Sequence, residues 1–127
     1  MTIGRHQITV QKDGTPYPGA PVISQAVTRG DTVYLCGVVS GWPPTGDIRY
    51  QTKKVLHRID ELLAEAGTDK SKLLTSQVWL TDMSMFGEHN EEWNDWVDHQ
   101  NPPVRACVEA QLTHKGLLVE IMVTAAR

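Results

Sequence analysis

Apolar residues between Ile48 and Ala66 recur at the spacing of one helical face. Charged residues fill the opposite face, and the apolar set comprises Val55, Leu56, Ile59, Leu62, Leu63 and Ala66. A stripe with this period allows a helix to cover a core, so the pattern predicts a helix over 48–66. Gly67 follows directly and is expected to end that helix, because glycine readily adopts the left-handed conformation of a helix C-terminus.

A second helix is predicted to begin at a cap provided by Asp82 or Ser84 and to run to about Asp98. Its stripe has spacing four, three, four and comprises Phe86, Asn90, Trp93 and Val97. The prolines at 102 and 103 bar any continuation, since the residue before a proline avoids helical geometry. This stripe is expected to lie on a sheet, where Asn90 as an interrupting amide needs hydrogen bonds, for example to a loop backbone.

Five stretches rich in β-branched and apolar residues are typical of strands, and they span 24–27, 32–36, 73–81, 104–112 and 117–125. The first two are joined across a turn that Gly30 makes easy, which predicts a hairpin. The last two are linked through 113–116 and are expected to form a second hairpin. The order β-β-α-β-α-β-β predicts an α+β fold with one sheet and two helices on one face.

Alternation along the last two strands predicts which side chains face the helices. On 104–112 the set expected to face them is Val104, Ala106, Val108, Ala110 and Leu112, leaving Arg105, Cys107, Glu109 and Gln111 on the other face. On 117–125 the apolar set leaves Glu120 on the same side as Arg105. This second face, which also carries Trp79, is mixed in polarity and is typical of a sheet that packs against further copies of itself.

The bulk composition narrows the classes of function. A chain of 127 residues fits one domain, 1–127, and 40% hydrophobic residues are usual for a globular protein. With a formal charge of −3, no basic field is available for phosphates, so we expect neither a nucleic-acid partner nor, without a long apolar run, a membrane partner. The N-terminus lacks the apolar core of a secretory signal, which makes the cytoplasm the expected location.

Common cofactor and metal signatures are missing from the sequence. Neither GxGxxG nor GxxxxGK[ST] occurs, and no GxSxG presents a serine. The five histidines are scattered without ligand spacing, so surface roles are expected for them and no metal is predicted. Cys36 and Cys107 lie among apolar neighbours without paired spacing and are expected to be free thiols.

Arg105 is the strongest candidate for chemistry, because a guanidinium holds a carboxylate through two parallel charge-assisted hydrogen bonds. The alternative is a structural ion pair with Glu109 or Glu120 across the terminal hairpin. Glu120 would orient a water or relay a proton if burial raised its pKa, or would only neutralise Arg105. A symmetric hairpin pairs Glu120 nearest Glu109, so a joint site with Arg105 requires a shifted register, a bulge or a neighbouring subunit.

Cys107 follows Arg105 by two residues and invites interpretation as a nucleophile. Nothing in the sequence around it lowers the pKa of its thiol, which disfavours covalent catalysis. Its backbone groups are better candidates for contact with a ligand held by Arg105.

Several segments resemble the Rid family, also called YjgF/YER057c/UK114. The resemblance runs from about Ser24 to Ala125 and is carried by 78–83, Asn90, 102–109 and 117–121, with the fairly specific Pro-x-Arg-x-Cys-Val-Glu pattern followed by Val-Glu-Ile. It implies a chorismate-mutase-like α+β fold with a mixed sheet, assembled as a homotrimer around a central barrel with three pockets between subunits.

The resemblance also implies a reaction and the residues that perform it. Arg105 would clamp the carboxylate of 2-aminoacrylate or a related 2-imino acid, while the Cys107 backbone and Glu120 position a water. Hydrolysis would release ammonia and leave a 2-oxo acid, without a cofactor. Ile23, Cys36 and Val38 stand where active members carry a tyrosine, a serine and a glutamine or related residue. These three expected ligand-contacting positions therefore favour a bulkier or more apolar ligand.

Two other functions are compatible with the same resemblance. A catalytically weak trimer that binds small carboxylates or has a regulatory role would use the same pocket. Ribonuclease activity, which is sometimes attributed to the family, would need a basic groove that the acidic composition does not provide.

Overall fold

The computed structural model describes residues 2–127 and contains one six-stranded mixed sheet with two helices on one face. Its elements are β1 (Ile3–Ile8), β2 (Ser24–Arg29), β3 (Thr32–Leu35), α1 (Ile48–Glu65), β4 (Leu73–Leu80), α2 (Phe86–Trp96), β5 (Val104–Glu109) and β6 (Val119–Ala126). The predicted element order is confirmed, and β1 is an additional N-terminal strand that the sequence pattern did not reveal. Within residues 2–127, no helix is long and apolar enough to cross a membrane.

Helix α1 forms for the reasons that its sequence predicts. The Asp47 carboxylate caps its first turn by accepting a hydrogen bond from the Tyr50 amide at 2.9 Å. Gly67 ends the helix with a φ of 83°, a conformation that few other residues adopt without strain. The apolar face is fully buried against the sheet and forms the centre of the core, where it comprises Val55, Leu56, Ile59, Leu62 and Leu63.

The sheet order corrects the predicted pairing of the last two strands. The order is β1-β2-β3-β6-β4-β5, so β4 lies between β5 and β6. Strand β5 pairs with β4 in parallel, with Val78 opposite Cys107, and β6 pairs with β4 in antiparallel orientation. The terminal hairpin prediction is therefore wrong, because the linker at 110–118 carries the chain past β4 instead of reversing it beside β5.

Strand β5 is the second correction, because its faces are the reverse of those predicted. Its register with β4 turns Arg105 and Cys107 toward the helices, whereas Val104 is 70% exposed and Val108 is 47% exposed on the uncovered face. The prediction assumed that the more apolar set must face the helices, but β5 is an edge strand whose faces are fixed by its pairing with β4. Glu120 pairs with Trp79 and lies on the face opposite to Arg105.

The face without helices carries a set of exposed large apolar side chains. They come from three strands and comprise Tyr34, Val104, Val108 and Met122. Large exposed apolar groups on one surface are typical of a surface that contacts another protein. The prediction of a mixed second face is confirmed, and its apolar part is larger than expected because β5 contributes its valines.

Candidate functional site

Arg105 on β5 extends toward α2 and is held there by two side chains of that helix. Its Nη2 donates to the Asn90 Oδ1 at 2.6 Å, and its Nη1 lies 3.4 Å from the His89 Nε2. A loop backbone was suggested as the hydrogen-bond partner of Asn90, and the partner observed is the guanidinium of Arg105. The contact fixes the arginine at the edge of the sheet, beside α2.

His89 is fully buried, in contrast to the predicted surface role of the histidines. Its Nδ1 lies 3.0 Å from the Thr52 Oγ1 of α1. A guanidinium can only donate, so the Nε2 facing Arg105 must be the acceptor and the ring proton must reside on Nδ1 and point to Thr52. Burial, reinforced by the charge of Arg105, lowers the pKa of His89 to about 4, so the ring is neutral at physiological pH.

Aromatic side chains of α2 complete the surroundings of Arg105. The guanidinium carbon lies 5.0 Å from the Trp93 ring centroid and 5.9 Å from that of Phe86, both within the range of cation–π attraction. Burial lowers the pKa of Arg105, and the side chain nevertheless remains cationic, as arginines in proteins do.

Within the described part of one chain, Arg105 forms no ion pair with Glu109 or Glu120. Among residues 2–127, no carboxylate lies within ion-pair distance of Arg105. The expected partners, Glu109 and Glu120, do not contact it; Glu120 lies on the other face of the sheet. Arg105 is thus a half-buried cation whose hydrogen-bond partners are all neutral, and a bound anion would complete its electrostatics.

Cys107 lies on the same face of β5 as Arg105 and is a free thiol, as is Cys36. Burial raises the pKa of the Cys107 thiol, despite the nearby charge of Arg105, so the reactive thiolate is scarce at neutral pH. The backbone of Cys107 belongs to an edge strand, and the outer side of β5 has no neighbouring strand in the described chain. That outer edge offers main-chain donors and acceptors to a ligand.

Glu120 on β6 lies in a different environment. Its side chain passes directly over Gly37, where a β-carbon would overlap the carboxylate oxygen. Burial raises the pKa of Glu120, which favours the uptake of a proton. The carboxylate borders a cleft of about 860 Å³, whose lining includes Pro18, Pro21, Gly37, Trp42 and His114.

A smaller cleft of about 260 Å³ is lined by Ile23, Cys36 and Val38. Val38 is almost entirely buried and pairs with Ile121 of β6. Gly37 borders both this cleft and that of Glu120, which makes them neighbours. Arg58 also lines the smaller cleft, but it is bound to Gln25 at 2.9 Å and to Glu61 at 3.5 Å.

The predicted site residues therefore form separate groups: Arg105 and Glu120 lie on opposite faces of the sheet, and the cleft of Ile23, Cys36 and Val38 is also lined by Arg58 and Leu62 of α1. Arg105 and Cys107 lie beside α2, whereas Glu120 borders the cleft near Gly37 that neighbours Ile23, Cys36 and Val38. Sequence reasoning missed His89 and Gly37, for which the only available indication was proximity to Asn90 and Cys36 along the chain. In residues 2–127, three or more His, Cys, Asp or Glu side chains do not converge as a metal site would require.

The chain matches a known family model and known relatives over most of its length. The family model described as Endoribonuclease L-PSP matches residues 16–127. A RutC family protein of Haemophilus influenzae is 40% identical over 103 residues, covering 81% of this chain and 89% of that protein. A RutC family protein of Sulfurisphaera tokodaii is 35% identical over 124 residues, covering 94% and 98%.

Solved structures match over nearly the whole chain. A member of the YjgF protein family from Neisseria meningitidis superimposes with a TM-score of 0.82 at 33% identity and covers 100% of this chain and 96% of its own. An uncharacterised protein from Pseudomonas aeruginosa gives a TM-score of 0.84 at 32% identity, with 99% coverage of both chains.

Proposed function

Because the chain belongs to the Rid (YjgF/YER057c/UK114) family, we propose that it deaminates reactive 2-imino or enamino acids by hydrolysis. The products are a 2-oxo acid and ammonia, and 2-aminoacrylate and its imine tautomer represent the substrate class. Two features of the chain support this proposal: a cation suited to a small carboxylate and a carboxylate suited to the transfer of a proton.

The observation that carries the proposal is the state of Arg105. Its positive charge is half-buried, yet its partners His89 and Asn90 are neutral acceptors. Each takes one of the five N–H groups of a guanidinium, which leaves donors for a ligand carboxylate. A cation held in this way favours an anion more strongly than a solvated arginine would, because its interactions are less screened by water.

A second copy of the chain is needed to join Arg105 to Glu120. The two side chains lie on opposite faces, with β4 between their strands, so neither a bulge nor a register shift brings them together within one chain. The exposed edge of β5 and the apolar face with Val104, Val108 and Met122 offer surfaces for self-association. We therefore place the site between subunits of a homotrimer, the assembly that the family resemblance implies.

The chemistry then proceeds by addition of water to the substrate. Arg105 binds the carboxylate, and Glu120 together with the Cys107 backbone orients a water against the carbon of the C=N bond. Glu120 accepts a proton from the water as the C–O bond forms and passes it to the imine nitrogen, which gives a carbinolamine. It then accepts the hydroxyl proton of the carbinolamine as the C=O bond forms and delivers that proton to nitrogen, so that the C–N bond breaks and ammonia leaves. Because such imines hydrolyse readily, fixing the reactants in position supplies much of the acceleration required.

A trimer that only binds small carboxylates is the second candidate. The apolar character of Ile23 and Cys36 beside the smaller cleft favours it, since these side chains add no group that would hold water. Binding alone would still require Arg105, so the two functions differ in turnover and not in the site.

An imine-trapping assay separates the two. An amino-acid oxidase generates 2-iminopropanoate, and semicarbazide captures the imine that survives. The proposed enzyme lowers semicarbazone formation in proportion to its concentration, and Arg105→Ala abolishes this effect. An unchanged rate of semicarbazone formation with the wild-type protein, despite binding of pyruvate, would leave only the binding function.

A further inference from the structure

An exposed tryptophan lines the cleft that Glu120 also borders. Trp42 is 69% exposed, and its ring lies against that of His114 with centroids 4.2 Å apart and planes inclined at 52°. The His114 ring is itself oriented by the Thr113 hydroxyl, 3.0 Å from its Nδ1. We call these two rings the aromatic wall.

The loops that carry the aromatic wall are fastened to each other by one buried side chain. Gln51 of α1 has no exposed surface, and its Nε2 lies 2.8 Å from the Gly116 carbonyl and 3.3 Å from the Thr45 carbonyl. Its Oε1 accepts from the Leu118 amide at 2.8 Å. Gln51 thereby ties the 42–46 loop to the 113–118 loop.

Packing at the loop ends reinforces this arrangement. Gly116 has a φ of 97°, and a β-carbon there would lie 3.3 Å from Pro44. Asp47, just after the first loop, caps α1. The aromatic wall is therefore held in place before any ligand arrives, which lowers the entropy cost of binding against it.

The cleft beside the aromatic wall is suited to a neutral, flat group. Most of its remaining lining is apolar and includes Pro18, Pro21, Val39 and Leu117. Its volume of about 860 Å³ is that of a small-molecule pocket and exceeds what the side chain of a three-carbon acid would fill. Glu120 supplies the carboxylate of this cleft, so a second negative charge on the ligand side chain would be repelled.

We propose that the aromatic wall of Trp42 and His114 binds the side chain of the substrate and selects imino acids whose side chain is aromatic or conjugated. This inference rests on the proposed function and deepens it: Arg105 of one copy binds the carboxylate, and the wall beside Glu120 receives the rest of the molecule. Stacking on an aromatic face gains about tenfold in affinity over a side chain without a π system.

Calorimetric titration with two stable product analogues tests the inference. Wild-type protein is expected to bind phenylpyruvate about tenfold more tightly than pyruvate. Trp42→Ala, at an exposed position that bears little on folding, removes this preference and leaves pyruvate affinity within about twofold. Trp42→Phe retains most of the preference because it keeps an aromatic face, and His57→Ala, at an exposed histidine of α1, leaves both affinities unchanged.

The outcomes distinguish this inference from the proposed function. If wild type binds neither acid, the carboxylate site itself is refuted, and the selectivity falls with it. If pyruvate binds in an Arg105-dependent manner but Trp42→Ala keeps the same preference, or wild type shows none, only the aromatic wall is refuted. Equal loss of both acids in Trp42→Ala, with circular dichroism unchanged, would assign Trp42 to the support of the cleft and would also overturn the selectivity.

Discussion

The two halves of the candidate site differ in how completely one chain builds them. One chain alone builds the Arg105 half. The guanidinium is fixed by contacts with His89, Asn90 and Trp93 of α2, a helix that packs against the core. The Glu120 half is an open cleft, and the Trp42 side chain that lines it is exposed. The fold of one chain thus positions the charge of Arg105, whereas we expect assembly to close the cleft beside Glu120.

The difference also separates binding from chemistry, since each half carries one of them in the proposed mechanism. The Arg105 half provides a fixed cation that has no carboxylate within ion-pair distance among residues 2–127 of its own chain. The Glu120 half provides a carboxylate whose burial raises its pKa and so makes it a better proton acceptor near neutral pH. Substitutions in the two halves should therefore affect different kinetic parameters.

The largest expected effects come from removing the two charged groups in turn. Arg105→Ala is expected to weaken the binding of 2-oxo acids by at least about a hundredfold, because two charge-assisted hydrogen bonds are lost. Glu120→Gln is expected to lower kcat by about a hundredfold with affinity for 2-oxo acids within about threefold of wild type. Calorimetry measures the loss of affinity, and the imine-trapping assay measures the loss of kcat. An equal loss of affinity in both variants would contradict the assignment of binding to Arg105 and chemistry to Glu120.

Burial of His89 in the Arg105 half is expected to make the stability of the protein depend on pH. Its folded pKa of about 4 lies below the ordinary value of 6.5, so the unfolded chain binds the proton first as pH falls. Stability that is present above pH 6.5 is therefore lost progressively down to pH 4, by roughly 3 kcal/mol for this residue. His89→Gln removes this contribution, so the difference in unfolding free energy between wild type and variant should shift by that amount over the window.

Urea denaturation at fixed protein concentration across this pH range measures the shift. The matched control is His57→Gln, because His57 is a solvent-exposed histidine of α1. We expect the control to follow wild type at every pH. A wild-type and a His89→Gln curve that remain parallel would show that the imidazole at 89 is not held neutral by burial.

The smallest expected effect is at Cys107. Burial keeps its thiol protonated, and its proposed contribution is made through the backbone of β5. Cys107→Ser should therefore change kcat/KM by less than about twofold. A loss comparable to that of Glu120→Gln would mean that the sulfur takes part in the reaction.

Much of the fold could be predicted from the sequence, because the periodicity of the core elements is strong. The helix at 48–66 and the strand at 73–81 are confirmed nearly to their ends by α1 and β4. The prediction of the buried face of the second helix, at Phe86, Asn90, Trp93 and Val97, was less accurate. The buried positions of α2 are His89, Glu92 and Trp93, because this helix packs largely on α1 and faces Arg105 at its side.

What the sequence could not supply was the pairing of β5. Two strands joined by a short linker predict a hairpin, and only the three-dimensional structure places β4 between them. The separate assumption that the more apolar set faces the helices reversed the expected faces of Val104 and Arg105 and put Glu120 on the same face as Arg105. The motif groups candidate residues along the sequence, whereas the placement of Arg105 and Glu120 on different faces depends on long-range pairing that no local pattern encodes.

Complementation between inactive subunits tests whether Arg105 of one copy and Glu120 of another act in a single site. Arg105→Ala and Glu120→Gln proteins are mixed in equal amounts, unfolded and refolded together, and assayed for imine deamination. If each site takes Arg105 from one copy and Glu120 from another, random assembly restores about a quarter of wild-type activity. Activity no higher than that of either variant alone, in mixed oligomers verified by mass spectrometry, would contradict a site shared between subunits.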